Sequence, residues 1–328
     1  MSERDRSSRR TAAWTVLKVL AGTAFLLLSV WGIDWQALPR HLAAAKPGWL
    51  ALALLAVLVG LALRILRWRV LLTQGAERPA LPAVSEAYLA GQAANIVMPF
   101  RSGEVIRLGL LAGQGGVGLA PAGISIVMEK SLDLLALAGL ALLLLPSLPA
   151  SVTDVVPGWL FPAAGVTVFL LALGLLACPW LIERIRSARP GARGWGGQLI
   201  RVLDEAAAAV NAMRRPSIVI PAVTLTLLAW GVMIATNALL FRALDLPLGA
   251  TAAGLVMLLV MIGLLPALMP GNIGPFYFFA RLALLPFQVD PQLAIAFSIL
   301  LHLLVTLPPL LGGGLMLLTY RRRSPSRS

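Results

Sequence analysis

The chain has 328 residues, 59% of them hydrophobic and 12% charged, with a mean hydropathy of +0.87. Soluble domains run at about 45–50% apolar and about 25% charged. The composition therefore excludes an ordinary soluble domain and predicts an all-α, polytopic membrane helical bundle. The formal net charge of +13 does not argue for nucleic acid, because the arginines sit in short clusters between apolar runs. That is how cytoplasmic loops look under the positive-inside rule. The one cysteine, Cys178, permits no internal disulfide or thiolate cluster. His41 and His302 stand far apart with no ligand spacing around them, so neither a metal nor a cofactor is expected.

Residues 1–11 carry Arg4, Arg6, Arg9 and Arg10 among serines and read as a disordered, cytoplasmic basic tail. Residues 12–319 read as one transmembrane domain and 320–328 as a second basic tail. The run 12–31 has about the 20 residues needed to cross. It lacks a small-residue cleavage site and reads as a retained span. After a loop at 32–47, residues 48–72 form the second span. Its end, Arg64-Ile-Leu-Arg67-Trp68-Arg69, reads as a snorkelling anchor on the cytoplasmic side.

The pattern then changes. Residues 83–98 are helical but only moderately apolar. Pro99 to Gly103 break the helix, 104–112 resume it, and Gly113-Gln-Gly-Gly116 ends it. Two short halves around a Pro/Gly break predict a re-entrant hairpin over 83–112 that enters from the cytoplasm. Residues 118–146 form a span carrying Glu129, Lys130 and Asp133. The loop 147–157 lacks basic residues and is placed outside, and 158–178 return. The loop 180–216 holds Arg184, Arg186, Arg189, Arg193, Arg201, Arg214 and Arg215, the strongest cytoplasmic signal. Leu199, Val202, Leu203, Ala206 and Val210 within it have the spacing of a helix lying on the membrane surface. Residues 217–241 cross outward. A second hairpin over 250–285 breaks at Pro270-Gly-Asn-Ile-Gly274, and 291–319 return inward to Tyr320-Arg-Arg-Arg323.

Span, span, cytoplasmic hairpin, span is thus followed by the same set inverted. The breaks echo each other as Met98-Pro99-x-x-x-Gly103 and Met269-Pro270-x-x-x-Gly274. Inverted repeats with broken helices near the midplane are a transporter architecture.

Irregular backbone at membrane depth survives only in protein or beside a wet cavity, and ionisable groups there are costly. The first break is therefore the candidate site. Freed N–H groups near Gly103 attract anions, and Arg101 offers a planar fork for phosphate. Glu104 and Arg107, three apart on the resumed helix, stand one above the other. Glu104 is expected to orient Arg101 or Arg107, or to exchange a proton. Glu129 and Asp133 share one helix face, with Lys130 about 100° away, and the hairpin arginines are their expected partners. The competing reading is a self-satisfied ion network that only pins the hairpin. Asn95 and Asn272 complete the substrate-binding set, and Asn272 is a candidate helix cap. His302, alone in the last span, is expected to be hydrogen-bonded to a neighbour, and Tyr277 to act as an interfacial anchor.

The set Arg67-Trp68, Asn95-x-x-x-Pro99-x-Arg101-x-Gly103-Glu104-x-x-Arg107, Glu129-Lys-x-x-Asp133 and Pro270-Gly-x-x-Gly274 resembles the lysylphosphatidylglycerol synthase transmembrane-region family, the flippase-like integral membrane proteins. The resemblance covers nearly the whole chain. It implies a multi-pass inner-membrane protein whose relatives, some fused to an aminoacyl-transferase domain, are associated with flipping lipid. No such domain is read in this chain, so lysine transfer is not implied. The family's second break usually reads Pro-Gly-Gly-x-Gly with a glutamate soon after. Here Asn272 replaces a glycine, and Phe276 and Tyr277 stand where the acid would be. Lys130 replaces a frequent arginine with its charge kept.

The sequence thus predicts a lipid transporter with both termini cytoplasmic. It would move an anionic phospholipid or polyprenyl-phosphate-type lipid between leaflets. Two alternatives stand beside it. One is a membrane glycosyl- or phosphotransferase acting on lipid phosphates, with Glu104 or Glu129 as its carboxylate. The other is a non-transporting scaffold for a lipid-modifying enzyme partner.

Overall fold

The computed structural model describes residues 18–72, 79–98, 102–113, 117–148, 214–265 and 270–323, with single positions between 162 and 212. The first tail, most of the loop 180–216, and Pro99, Phe100 and Arg101 lie outside the described residues. Those described form helices and connections, with no strand among them. The helices are α1 (Lys18–Val30), then α2 (Leu38–Ala43), α3 (Pro47–Leu71), α4 (Leu81–Val97), α5 (Gly103–Gly113) and α6 (Leu119–Leu144). After the sparsely described stretch come α7 (Pro216–Ala243), α8 (Ala250–Leu264), α9 (Ile273–Leu284) and α10 (Pro291–Arg323).

A helix satisfies its backbone within itself, which is what hydrocarbon demands. Three helices are long and apolar enough to cross a bilayer: Pro47–Leu71, Pro216–Ala243 and Pro291–Met316. Each begins with a proline, whose missing N–H costs nothing at a first helical position. α10 is also capped by Asp290, whose Oδ1 accepts from the N–H of Gln292 at 2.8 Å. α6 has 26 residues, or about 39 Å at 1.5 Å per residue, and is also long enough to cross despite its three charges. The expected spans and half-helices that fall on described residues are present as helices, with ends shifted by a few residues, while most of the expected span 158–178 and the start of the first span lie outside the described residues. The stretch 32–47, expected as a loop, includes a short helix. This is α2, whose Leu38 packs with Ile33, Ile295 and Ala296.

The chain divides into two compact units. The first comprises Met1–Val57, Gln92–Ser102 and Met233–Leu311. In it α8 and α9 form a tight helical pair. Gly263 lies against the Phe279 ring, where any Cβ would collide. α1 packs on α9 through Phe25, which lies 5.0 Å from Phe278 and 5.6 Å from Phe279 between ring centroids. The start of α9 comes so near α1 that a Cβ on Gly274 would strike the Gly22 carbonyl. Arg281 Nη1 donates to the Ser29 and Trp31 carbonyls at 2.8 and 3.1 Å. These are groups that the end of α1 leaves open.

The break between α8 and α9 is made by two successive left-handed residues, Gly271 (φ 67°) and Asn272 (φ 53°). Asn tolerates this region better than most residues. The Asn272 side chain does not cap α9, contrary to expectation. The left-handed backbone, and not a capping hydrogen bond, explains an asparagine here. His302 holds the break in place: Nε2 meets the Gly271 carbonyl at 3.0 Å and Nδ1 meets the Tyr277 hydroxyl at 2.9 Å. The carbonyl can only accept, so Nε2 carries the hydrogen and the Tyr277 hydroxyl donates to Nδ1. His302 is therefore hydrogen-bonded as expected, and Tyr277 is its partner. A Cβ on Gly271 would lie 3.9 Å from the Ile96 carbonyl near the end of α4, so the second break adjoins the chain leading into the first.

The second unit comprises Leu58–Gly91, Gly103–Val232 and Gly312–Ser328. Its core includes Trp68, Val84, Tyr88, Leu111 and Ala122, from α3, α4, α5 and α6.

Replacing Gly274 with alanine should lower the detergent-solubilised protein's stability by about 1–3 kcal/mol, the usual cost of overpacking. A Cβ on Gly231 meets nothing within 4 Å, so Gly231→Ala should be neutral in the same thermal-shift measurement.

Candidate functional site

The polar site lies within the second unit and is built on α3, α4, α5, α6 and α7. α6 presents Glu129 and Asp133 one turn apart on one face. Arg67 of α3 grips Asp133 with a two-pronged contact, Nη1 to Oδ1 at 2.6 Å and Nη2 to Oδ2 at 3.1 Å. This is the fork geometry that makes Arg–carboxylate pairs strong. The same guanidinium donates to Thr226 Oγ1 of α7 at 3.2 Å and reaches Glu129 at 3.4 Å. Trp230, one turn beyond Thr226, donates its indole N–H to Asp133 Oδ1 at 3.2 Å.

Arg107 of α5 binds Glu129 in turn, Nη2 to Oε2 at 2.7 Å and Nη1 to Oε1 at 3.5 Å. Its guanidinium lies 4.0 Å from the Trp68 ring centroid and 4.5 Å from that of Tyr88. Such cation–π contacts add about 0.5–2 kcal/mol each, most where water is excluded. Trp68 is fixed by a hydrogen bond from its Nε1 to Ser125 Oγ at 3.0 Å, and Ser125 donates onward to the Ala122 carbonyl. Gly91 of α4 leaves room for all this. A Cβ there would come within 3.0 Å of the Arg107 side chain and of the Gly103 carbonyl.

Arg67, Arg107 and Glu129 are almost fully buried, and Asp133 is partly exposed. Two positive and two negative charges make the group neutral. A buried ion costs several kcal/mol in solvation, which mutual pairing offsets only if the geometry is good. Here every oxygen of Glu129 and Asp133 has a donor or an ion-pair partner.

Glu104 and Lys130 form a separate pair. Lys130 Nζ lies 3.2 Å from Glu104 Oε1, with side chains 46% and 21% exposed. Glu104 occupies the first turn of α5, where a negative charge is favourable.

The sequence-derived site is thus partly assembled and partly rearranged. Glu104, Arg107, Glu129, Lys130 and Asp133 fall within one unit. Asn95 and Asn272 belong to the other, and Arg101 lies outside the described residues. Among the described residues Glu104 forms its ion pair with Lys130, because α6 presents its lysine towards the start of α5; its expected role towards Arg101 falls outside the described residues. Arg67 is a correction. It does not snorkel, but is fully buried as the main partner of Asp133. Sequence reasoning set Arg67-Trp68 among the residues of the resemblance but read them as an anchor, and gave no site role to Tyr88, Thr226 or Trp230. One signal was present: two carboxylates on one face require two cations, and α5 supplied only Arg107 to that face.

With the geometry in place, comparison with known families decides the assignment. The family described as the lysylphosphatidylglycerol synthase TM region matches residues 15–313. The chain belongs to this family. No match is found among curated proteins. Membership agrees with the apolar helices and makes the chain an integral membrane protein concerned with lipid.

Removing one partner of a buried pair leaves an uncompensated charge and costs about 3–5 kcal/mol. Arg107→Leu should therefore destabilise the protein on that scale in a denaturant titration. Arg107→Lys should recover only part of the loss, because an ammonium offers neither the fork nor the flat face that Trp68 and Tyr88 receive.

Proposed function

We propose that the protein moves a phosphate-bearing lipid between leaflets of the inner membrane. The observation that carries this reading is the compensated charge network beside a helix break, in a family concerned with lipid. Ionisable groups inside a membrane are functional by default. Charges compensated in this way can stand inside the membrane without one being stranded. The hairpins α4–α5 and α8–α9 are read as re-entrant, with opposite orientations, in an inverted repeat. The proximity of Gly271 to Ile96 and the shared Pro-x-x-x-Gly pattern favour this. Both glycines also sit at close helix contacts: Gly274 against α1, and the Gly103 carbonyl against Gly91. Both termini are placed in the cytoplasm by the arginine-rich segments.

In this reading the buried arginines set the field of the site, and the positive charge of Arg101 helps to attract the anionic lipid. A second reading has one observation in its favour. Arg67 and Arg107 are already neutralised by Asp133 and Glu129, as in a scaffold that pairs its charges for folding alone. A transferase is less well supported, since Glu129 is held by two arginines and Glu104 by Lys130.

Fluorescent-lipid movement in proteoliposomes separates the two readings. The transporter reading expects headgroup-dependent movement that falls at least about tenfold in Arg101→Ala, the weight of one charge-assisted contact. Movement unchanged in a well-folded Arg101→Ala would remove the proposed role of that residue. No movement of any lipid would favour the scaffold.

A further inference from the structure

Of the three acids at the polar site, Glu104 is unlike Glu129 and Asp133. Glu129 and Asp133 have both oxygens engaged. Glu104 has Oε1 on Lys130, while Oε2 is buried without a partner among the described residues. A buried acceptor without a donor is costly, the more so when charged, so this oxygen is poised to receive one. Lys130 is half-exposed, and its one ion pair among the described residues is with this carboxylate. Its ammonium can turn to an incoming anion through a flexible stem. Arg67 and Arg107 are buried and committed. Working polarity is therefore left at an adjacent acid and base, not at a bare positive patch.

Resting on the reading of lipid movement, we propose that Glu104 and Lys130 form the headgroup-selecting contact, which takes a lipid bearing a hydrogen-bond donor beside its phosphate. The phosphate meets Lys130, and the neighbouring hydroxyl or ammonium of the headgroup donates to Glu104. Binding exchanges one partly exposed ion pair for two charge-assisted contacts and fills the open oxygen. A headgroup with a phosphate but no donor satisfies Lys130 and leaves Glu104 with its vacancy. A hydroxyl and an amine both meet the requirement, and a bare polyprenyl monophosphate ester does not gain the second contact.

The test uses wild-type protein in phosphatidylcholine proteoliposomes with four fluorescent tracers. Phosphatidylglycerol is compared with phosphatidylmethanol, both anionic, and phosphatidylethanolamine with phosphatidylcholine, both zwitterionic. Only the first lipid of each pair carries a donor on its headgroup beyond the phosphate. The donor-bearing lipid of each pair should move about tenfold faster, the weight of one charge-assisted hydrogen bond. Glu104→Gln should reduce that ratio towards one. Lys130→Met should slow all four tracers, and the double variant Glu104→Gln/Lys130→Met should be the slowest. If the pair served folding alone, removing both charges would restore what either single change lost, and that result would overturn the proposal. Equal rates within both wild-type pairs would overturn it without any variant. No movement of any tracer by wild-type protein would defeat the transport reading itself, and this inference with it.

Discussion

Two arginines on different helices share one buried glutamate. Glu129 receives Arg107 from α5 at 2.7 Å and Arg67 from α3 at 3.4 Å, and Arg67 passes on to Asp133. In an apolar protein these contacts tie α3, α5 and α6 together with an energy that packing alone does not supply, since lipid tails are as apolar as the side chains they meet. Trp68 and Tyr88 close the space around Arg107, and Thr226 and Trp230 bring in α7. The stripe Glu129/Asp133 on α6 is matched by the stripe Thr226/Trp230 on α7, both at a spacing of four, so one face of each helix carries the polar contacts.

The same constraint limits what the site can do. A neutral interior whose two guanidiniums are already engaged by Glu129 and Asp133 offers little to a lipid phosphate. It sets a fixed electrostatic background and leaves interaction with a ligand to groups nearer its edge, Glu104 and Lys130 among them. Neutralising one buried charge without its partner would strand another, and this makes the network a poor place for chemistry. A carboxylate gripped by a guanidinium fork has its oxygens engaged, which leaves neither a proton to give nor a free lone pair to take one.

Much of the fold was legible in the sequence because hydrocarbon permits few solutions. Long apolar runs had to be helices, and Pro99, Gly103, Pro270 and Gly274 had to mark breaks. The end points erred by a few residues, where proline starts and fraying decide. The site was harder. Arg107, Glu129 and Asp133 stood out as charges in apolar surroundings, but their pairing depends on which helix face meets which. Arg67 was obscured because it stands between Arg64 and Arg69 at the end of a span, where snorkelling is the ordinary behaviour. Asn272 was read as a cap because the cap and the left-handed turn favour the same residue type. Tyr88 and Trp230 carry no local mark of their role; only the tertiary meeting with Arg107 and Asp133 supplies it.

The proposed function requires the Glu104–Lys130 pair to be reachable from water while the buried, neutral network behind it stays dry. The most direct measurement is the labelling rate of single cysteines by a charged, water-soluble thiosulfonate in native membranes, on a Cys178→Ala background. Cysteines introduced by Glu104→Cys and Lys130→Cys should react rapidly, and those introduced by Thr226→Cys and Ser125→Cys only after denaturation. Comparable rates at all four positions, or no reaction at 104 and 130, would contradict the account.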